Sequence, residues 1–224
     1  MPTAAYARFR SSMVLDHEKW HDGIGFDLAA IPEMTAEERE SIRAMLVSAD
    51  QTWREIEALD ALRAHADAHP DDTSSQAKAQ IDRATDRAAT SGDRDTRLAA
   101  AETLHAQGRL PDIDRVIAKE LCDCRDISDG SVRLLLLAEQ FPTPRVRQAL
   151  LYASNFRCET AMHCAALLCY LCGKATEAFD WSMRPFFLKF HPSENSLTRM
   201  EAMRELQELT GLELQEPWVF MEAE

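Results

Sequence analysis

The chain has 224 residues, of which 46% are hydrophobic and 28% charged, and its formal net charge is −13 at pH 7. Glycine (7) and proline (9) are few, which favours helices over a sheet sandwich, and the length suits one large domain or one domain with an appendage. The negative charge repels phosphate backbones and so disfavours nucleic acid as a partner, and no apolar run is long enough to suggest a membrane span.

Residues 1–34 show no helical periodicity. Their apolar side chains are scattered among polar ones, and Gly23 and Gly25 interrupt any helix. We therefore predict an irregular N-terminal cap over residues 1–34, followed by a helical repeat domain over residues 35–224.

The first predicted helix begins at Thr35, which forms a capping box with Glu38. A second helix is predicted from about residue 51 to 66. Residues 67–92 follow as a weak link, because a polar turn precedes a helix whose apolar stripe is mostly alanine and buries little area.

From Asp93 onward short helices follow one another closely, and short loops favour antiparallel neighbours. The predicted helices run from residue 93 to 107, from 112 to 124, from 129 to 141, from 144 onward and from 159 to 172. The last of these is apolar almost all round, so it is expected to be the most central.

The remaining residues predict one further helix and an apolar tail. The helix runs from about residue 195 to 210 and ends at Gly211. Its expected buried stripe is Leu197, Met200, Met203, Leu206 and Leu209. The tail at residues 216–221 is rich in apolar residues and must pack on its own chain or on a partner.

Three short stretches resemble the inner-helix starts of HEAT-like repeats. They are Asp95-Thr96-Arg97, Asp129-Gly130-Ser131-Val132-Arg133 and Pro144-Arg145-Val146-Arg147. The resemblance covers residues 93–175 and implies an all-α fold of antiparallel helix pairs, stacked as a short α-solenoid or a compact helical array. Arg133 and Arg147 are only one helix apart, so the repeat is irregular.

The six cysteines predict packing rather than redox or metal chemistry. Cys164, Cys169 and Cys172 lie in an apolar helical stretch, where free thiols behave as small hydrophobic residues. Cys122 and Cys124 are too close in a helical segment to bridge each other comfortably. With no apolar signal core at the amino end, this pattern predicts a cytoplasmic protein without disulfides.

One string carries the pattern of a catalytic zinc site. His17-Glu18-Lys19-Trp20-His21 reads H-E-x-x-H, which on a helix places two imidazoles on zinc with Glu18 as general base. Its charged surroundings and the nearby Gly23 are unlike those of zinc peptidases. A zinc-dependent hydrolase is therefore the alternative, and our leading hypothesis has no catalytic residue, metal or cofactor.

Aromatic residues supply the candidate binding residues. These are Trp20, Trp181, Phe187, Trp218 and Phe220. Where they are exposed, such side chains are expected to anchor an interface. The acidic charge favours a protein partner with a basic surface, as in immunity proteins that neutralise toxins, which are similar at the level of the fold. A DNA-base glycosylase built on HEAT-like helices is a further alternative that the charge disfavours.

Overall fold

The computed structural model describes residues 1–14, 24–70, 75–90, 92–123 and 132–222. All regular secondary structure in these ranges is helical, so the predicted all-α fold is confirmed. The α-helices in the described residues are α1 Ala4–Ser12, α2 Ala36–Ser48, α3 Trp53–Ala68, α4 Ser75–Thr90, α5 Arg94–Ala106, α6 Ile113–Cys122, α7 Val132–Gln140, α8 Pro144–Ser154, α9 Thr160–Leu171, α10 Arg184–Phe187, α11 Ser196–Thr210 and α12 Pro217–Met221. Segments of 3-10 helix cover Leu28–Glu33, Trp181–Met183 and Leu188–Phe190.

The contacts divide the chain into two compact units, an N-terminal unit Met1–Pro111 and a C-terminal unit Asp112–Glu224. The division crosses the predicted helical domain of residues 35–224 and does not fall at residue 34. Each unit has its own buried core.

The core of the N-terminal unit is built by α2 to α5 together with the segment before them. Its fully buried side chains include Phe9, Ile31, Ile42, Leu59 and Ile81. Helix α4 packs against α2, α3 and α5, and its predicted stripe of Ala77, Ile81, Ala84 and Ala88 is buried. This alanine-rich helix therefore belongs to the core of the unit.

The prediction of an irregular segment over residues 1–34 is wrong at Ala4–Ser12, which form α1. Thr3 caps this helix by accepting a hydrogen bond from the backbone N–H of Tyr6 at 3.1 Å. The helix escapes a search for periodicity because Ala5 and Phe9 are its buried residues, too few to show a stripe.

Glu38 links the N-terminal segment to α2. Its carboxylate accepts hydrogen bonds from the Thr3 N–H at 2.7 Å and from the Thr35 N–H at 3.0 Å. The predicted capping box is confirmed, since the Glu38 N–H in turn donates to the Thr35 hydroxyl at 3.2 Å. These bonds, led by that from Thr3, lower the pKa of Glu38.

In the C-terminal unit, α9 is the central helix, as its composition predicts. It packs against α7, α8, α10 and α11, and Cys164, Leu168 and Cys169 on it are fully buried. Helix α8 begins at Pro144 after its N-cap Thr143 and lies between α6 and α9. Helix α11 ends at Gly211, whose φ of 70° is a left-handed conformation that glycine adopts without a steric cost.

Candidate protein-binding surfaces

The predicted zinc residues His17, Glu18 and His21, together with Trp20, lie outside the described residues. Within the described ranges, no group of three His, Cys, Asp or Glu side chains is placed to hold a metal ion. The zinc-hydrolase alternative therefore stays a prediction.

The cysteines of α9 are part of the packing, as predicted. Cys169 is fully buried, and burial raises the pKa of its thiol to about 12. Burial also raises the pKa of the half-buried Cys172. Both shifts keep the thiols protonated at neutral pH, so neither is activated as a nucleophile. Cys124 lies outside the described residues.

The structure separates the other predicted binding residues into two classes. Phe187 is fully buried and Phe220 is nearly so, which makes both core residues. Trp181 is 67% exposed and Trp218 is 65% exposed. Because interface anchors must reach a partner, only the two tryptophans are available for the predicted role.

Trp181 belongs to an exposed stripe, which we name the Trp181 face: Trp181, Arg184, Pro185 and Leu188. These residues follow a spacing of three, four and seven along consecutive helical turns, which brings side chains to one side of a helix. The stripe combines an indole, a guanidinium and two apolar side chains in one small area.

An aromatic stack supports the Trp181 face from below. The Trp181 ring meets Phe179 edge to face at a centroid distance of 6.5 Å. Phe179 in turn lies 5.4 Å from the buried Phe187, and Phe187 lies 5.8 Å from Phe186. On the outer side, the guanidinium of Arg184 lies 4.8 Å from the centroid of the Trp181 ring. The Trp181 indole thus contacts both the guanidinium of Arg184 and the aromatic cluster that includes the buried Phe187.

Asp180 fixes the backbone at Trp181. Its Oδ1 accepts hydrogen bonds from the Ser182 hydroxyl at 2.6 Å and the Ser182 N–H at 2.9 Å. Its Oδ2 accepts from the Thr176 hydroxyl at 2.7 Å and the Thr176 N–H at 3.0 Å. These bonds, with those from Ser182 first, hold the pKa of Asp180 far below its usual range. The carboxylate caps the 3-10 helix that carries Trp181 and ties it to the preceding loop.

The stripe predicted for α11 is wrong in its first half. Met203 and Leu206 are buried, but Leu197 is 60% exposed and Met200 is 56% exposed. The reason is geometric: each three-residue step falls about 60° short of a full turn, so residues 197 and 206 lie about 180° apart around the helix. The sequence reasoning therefore missed an exposed apolar surface on α11.

Met200 borders an open cavity of about 490 Å³, which we name the α11 groove. Its lining residues are Asn155, Arg157, Ser196, Arg199, Met200, Met203, Arg204, Gln207 and Leu214. The lining thus combines three guanidiniums with three apolar side chains. Its volume lies within the range of about 300–1,000 Å³ found for ligand sites.

Two of the three arginines of the α11 groove, Arg157 and Arg199, donate to carbonyl oxygens rather than to carboxylates. Arg199 is 6% exposed and donates to the carbonyl oxygens of Phe190, His191 and Phe156. Arg157 donates to the carbonyl oxygen of Glu194 at 3.3 Å. Burial lowers the pKa of Arg199, and the nearby positive charge of Arg157 lowers it further. None of these hydrogen bonds brings a carboxylate to the two guanidiniums.

A second open cavity of about 460 Å³ lies on the N-terminal unit between α2 and α4. Its lining also includes three arginines, Arg43, Arg83 and Arg87. Arg43 is neutralised locally, because its Nε donates to the carboxylate of Glu40 at 2.8 Å. In the α11 groove, by contrast, no lining arginine is bonded to a carboxylate among the described residues.

No protein-family model, no curated protein and no solved structure matches this chain. In the part of the chain that the structure describes, no helix combines the length and the hydrophobicity that crossing a membrane requires.

Proposed function

We propose that the chain is a non-enzymatic, protein-binding helical scaffold, and that the Trp181 face is the centre of its interface. The observation that carries this proposal is the position of Trp181, an indole that is 67% exposed yet fixed by Phe179, Arg184 and the turn at Asp180. Tryptophan and arginine are the residue types most enriched among interface residues whose loss costs the most affinity.

Preorganisation is the physical reason why the Trp181 face suits binding. Ordering a free side chain at an interface costs about 0.5–1.5 kcal/mol. The indole of Trp181 is already held before any partner arrives, so it loses little conformational entropy on binding. Its large apolar surface can then contribute to affinity without that cost.

We further propose that the partner has a basic surface. The support is the net charge of −13, which attracts a positively charged protein and speeds encounter. In this proposal the charge steers association, while the Trp181 face supplies affinity after contact. The association rate constant should then fall as salt is added, and the dissociation rate constant should change little.

The predicted relation to HEAT-like repeats is part of the proposal. Arg145, from one of the three repeat-like stretches, forms an ion pair of 3.0 Å with Asp114 and so connects α8 to α6. The repeat-like pattern suits this interaction, because it places an arginine near the start of one helix, where it can pair with an aspartate of the neighbouring helix.

A cytoplasmic location is also proposed. The described cysteines, Cys122, Cys158, Cys164, Cys169 and Cys172, are all free thiols. Unpaired cysteines in this number are typical of a reducing compartment.

Site-specific photo-crosslinking in the native host tests the proposal. A photoreactive phenylalanine analogue replaces Leu188 on the Trp181 face, and the matched control places it at Ala79, which is exposed on α4. We expect one protein of basic net charge to be crosslinked from position 188 and not from position 79. An identical pattern from both positions, or no crosslinked protein from position 188, would contradict the proposal.

A narrower proposal is that the partner is a toxin that this chain neutralises, in the manner of an immunity protein. Its support is the acidic charge together with the helical scaffold. Expressing the crosslinked partner alone should then inhibit growth, and co-expressing the wild-type chain should relieve the inhibition. The Trp181→Ala variant should relieve it less, and a partner without effect on growth would refute this narrower proposal.

A further inference from the structure

We propose that a second copy of this chain occupies the α11 groove with the outer face of its α12, forming a symmetric dimer. This inference is independent of the Trp181 face, because α12 and the α11 groove include none of its residues. It rests on two surfaces of the C-terminal unit that are complementary in charge and in hydrophobicity.

The first surface is the α11 groove and its positive charge. Among the described residues, Arg157, Arg199 and Arg204 form no ion pair within 4 Å. Since no glutamate or aspartate lines the groove, a carboxylate brought from outside would meet the exposed side chains of Arg157 and Arg204, whereas Arg199 is buried and already bonded to carbonyl oxygens.

The second surface is the outer face of α12. Trp218 is 65% exposed and Val219 is 51% exposed, and the exposed carboxylates of Glu216 and Glu222 flank them. This short helix therefore presents apolar side chains between negative charges. The α11 groove presents apolar side chains beside positively charged arginines, so the two surfaces are complementary.

Helix α12 is held in place by its inner side. Phe220 is 5% exposed, and α12 packs against α6 and α8 of its own chain. Arg145 secures the helix further, since its Nε donates to the carbonyl oxygen of Phe220 at 3.2 Å. Because α12 is fixed on α6 and α8 of its own chain, the α12 that enters the groove in this proposal belongs to a second copy.

One contact would satisfy both surfaces. Trp218 and Val219 would cover Met200 and Leu214, which are exposed in the single chain. Glu216 and Glu222 would approach the arginines of the groove. Methionine adapts its shape readily to an incoming ring, which suits Met200 and Met203 to this position. In a two-fold dimer the contact occurs twice, so each substitution acts at two places.

Nucleic acid is a poorer occupant of the α11 groove. The apolar residues Met200, Met203 and Leu214 would gain nothing from a phosphate backbone. A protein segment that carries both carboxylates and apolar side chains uses the whole lining.

Sedimentation velocity of the full chain, from low micromolar to several hundred micromolar, tests the proposal. The wild-type protein should show a reversible equilibrium between monomer and dimer that weakens as salt is added. Trp218→Ala and Arg204→Gln should each raise the dimer dissociation constant at least tenfold. The matched controls are Trp181→Ala and Arg83→Gln, an exposed tryptophan and an exposed arginine elsewhere, and they should change it less than twofold.

A labelled peptide covering residues 213–222 separates the groove contact from any contact of α12 with itself. Measured by fluorescence anisotropy, it should bind the Trp218→Ala chain, whose groove is empty, and bind at least tenfold more weakly when Arg204→Gln is added. The same peptide with its glutamates changed to glutamine should also bind more weakly. A monomer at every concentration, a dimer unaffected by Arg204→Gln, or a peptide that does not bind would each overturn the proposal.

Discussion

Replacing Phe187 by alanine tests whether buried aromatic packing holds the Trp181 face in place. Phe187 is fully buried, and its ring lies 5.4 Å from Phe179 and 5.8 Å from Phe186 between centroids. Removing a buried phenyl ring costs about 3–5 kcal/mol, because apolar burial is lost and a cavity remains. That is a large part of the roughly 5–15 kcal/mol by which a domain is stable.

The assay is urea unfolding followed by far-ultraviolet circular dichroism. Phe187→Ala should lower the free energy of unfolding by about 3–5 kcal/mol, and Phe187→Leu, which keeps most of the volume, by less than about 1.5 kcal/mol. Lys174→Met at an exposed position serves as the surface control and should change it by no more than about 0.5 kcal/mol. A loss below about 1 kcal/mol for Phe187→Ala would refute the reasoning, since a side chain that matters so little cannot support the indole above it.

Three further predictions concern other parts of the chain. The pKa of Asp180 is lower in the folded chain than in the unfolded chain, so the ionised carboxylate stabilises the fold fully above about pH 4 and less as the pH falls below that value. Asp180→Asn should therefore make the free energy of unfolding depend less on pH in the acid range. Arg199→Met leaves buried carbonyl oxygens without a donor and should cost about 2 kcal/mol or more in urea unfolding, whereas Lys174→Met at an exposed position should cost less than about 0.5 kcal/mol. Elemental analysis of the purified protein should find less than one zinc per chain, and stoichiometric zinc that disappears in His17→Ala would instead favour the hydrolase alternative.

Local signals in the sequence were sufficient for most of the helices. A capping box involves only four consecutive residues, so the start of α2 could be predicted from Thr35 and Glu38 alone. The stops at Gly108 and Gly211 were equally local, because both glycines adopt a φ of 70°. Helix α9 was identified as central because its composition is apolar on every side.

The sequence was a poor guide where tertiary contacts decide. Helix α1 has too few buried residues to show a period, and it is held in part by the hydrogen bond from Thr3 to Glu38, a residue far along the chain. Exposure could not be read from composition either, since Trp181 is exposed and Phe187 is buried in the same aromatic segment. Whether a ring faces the core there depends on the 3-10 turn that Asp180 caps.

The α11 groove was missed for a different reason. Counting apolar residues at intervals of three gave a continuous stripe, but the stripe winds around the helix and leaves Leu197 and Met200 outside. Testing each residue against a period of 3.6 instead of 3 would have found the exposed pair. The arginines that complete the groove come from α11 and from the segment after α8, so only the folded chain brings them together.

The central proposal is that the Trp181 face binds a protein, and isothermal titration calorimetry with the crosslinked partner tests it most directly. Trp181→Ala should raise the dissociation constant at least about 30-fold, which corresponds to about 2 kcal/mol and to a side chain at the centre of an interface. Trp218→Ala, measured beside it, should leave that constant within twofold of the wild-type value. Equal affinity of the wild-type and Trp181→Ala chains for that partner would contradict the proposal.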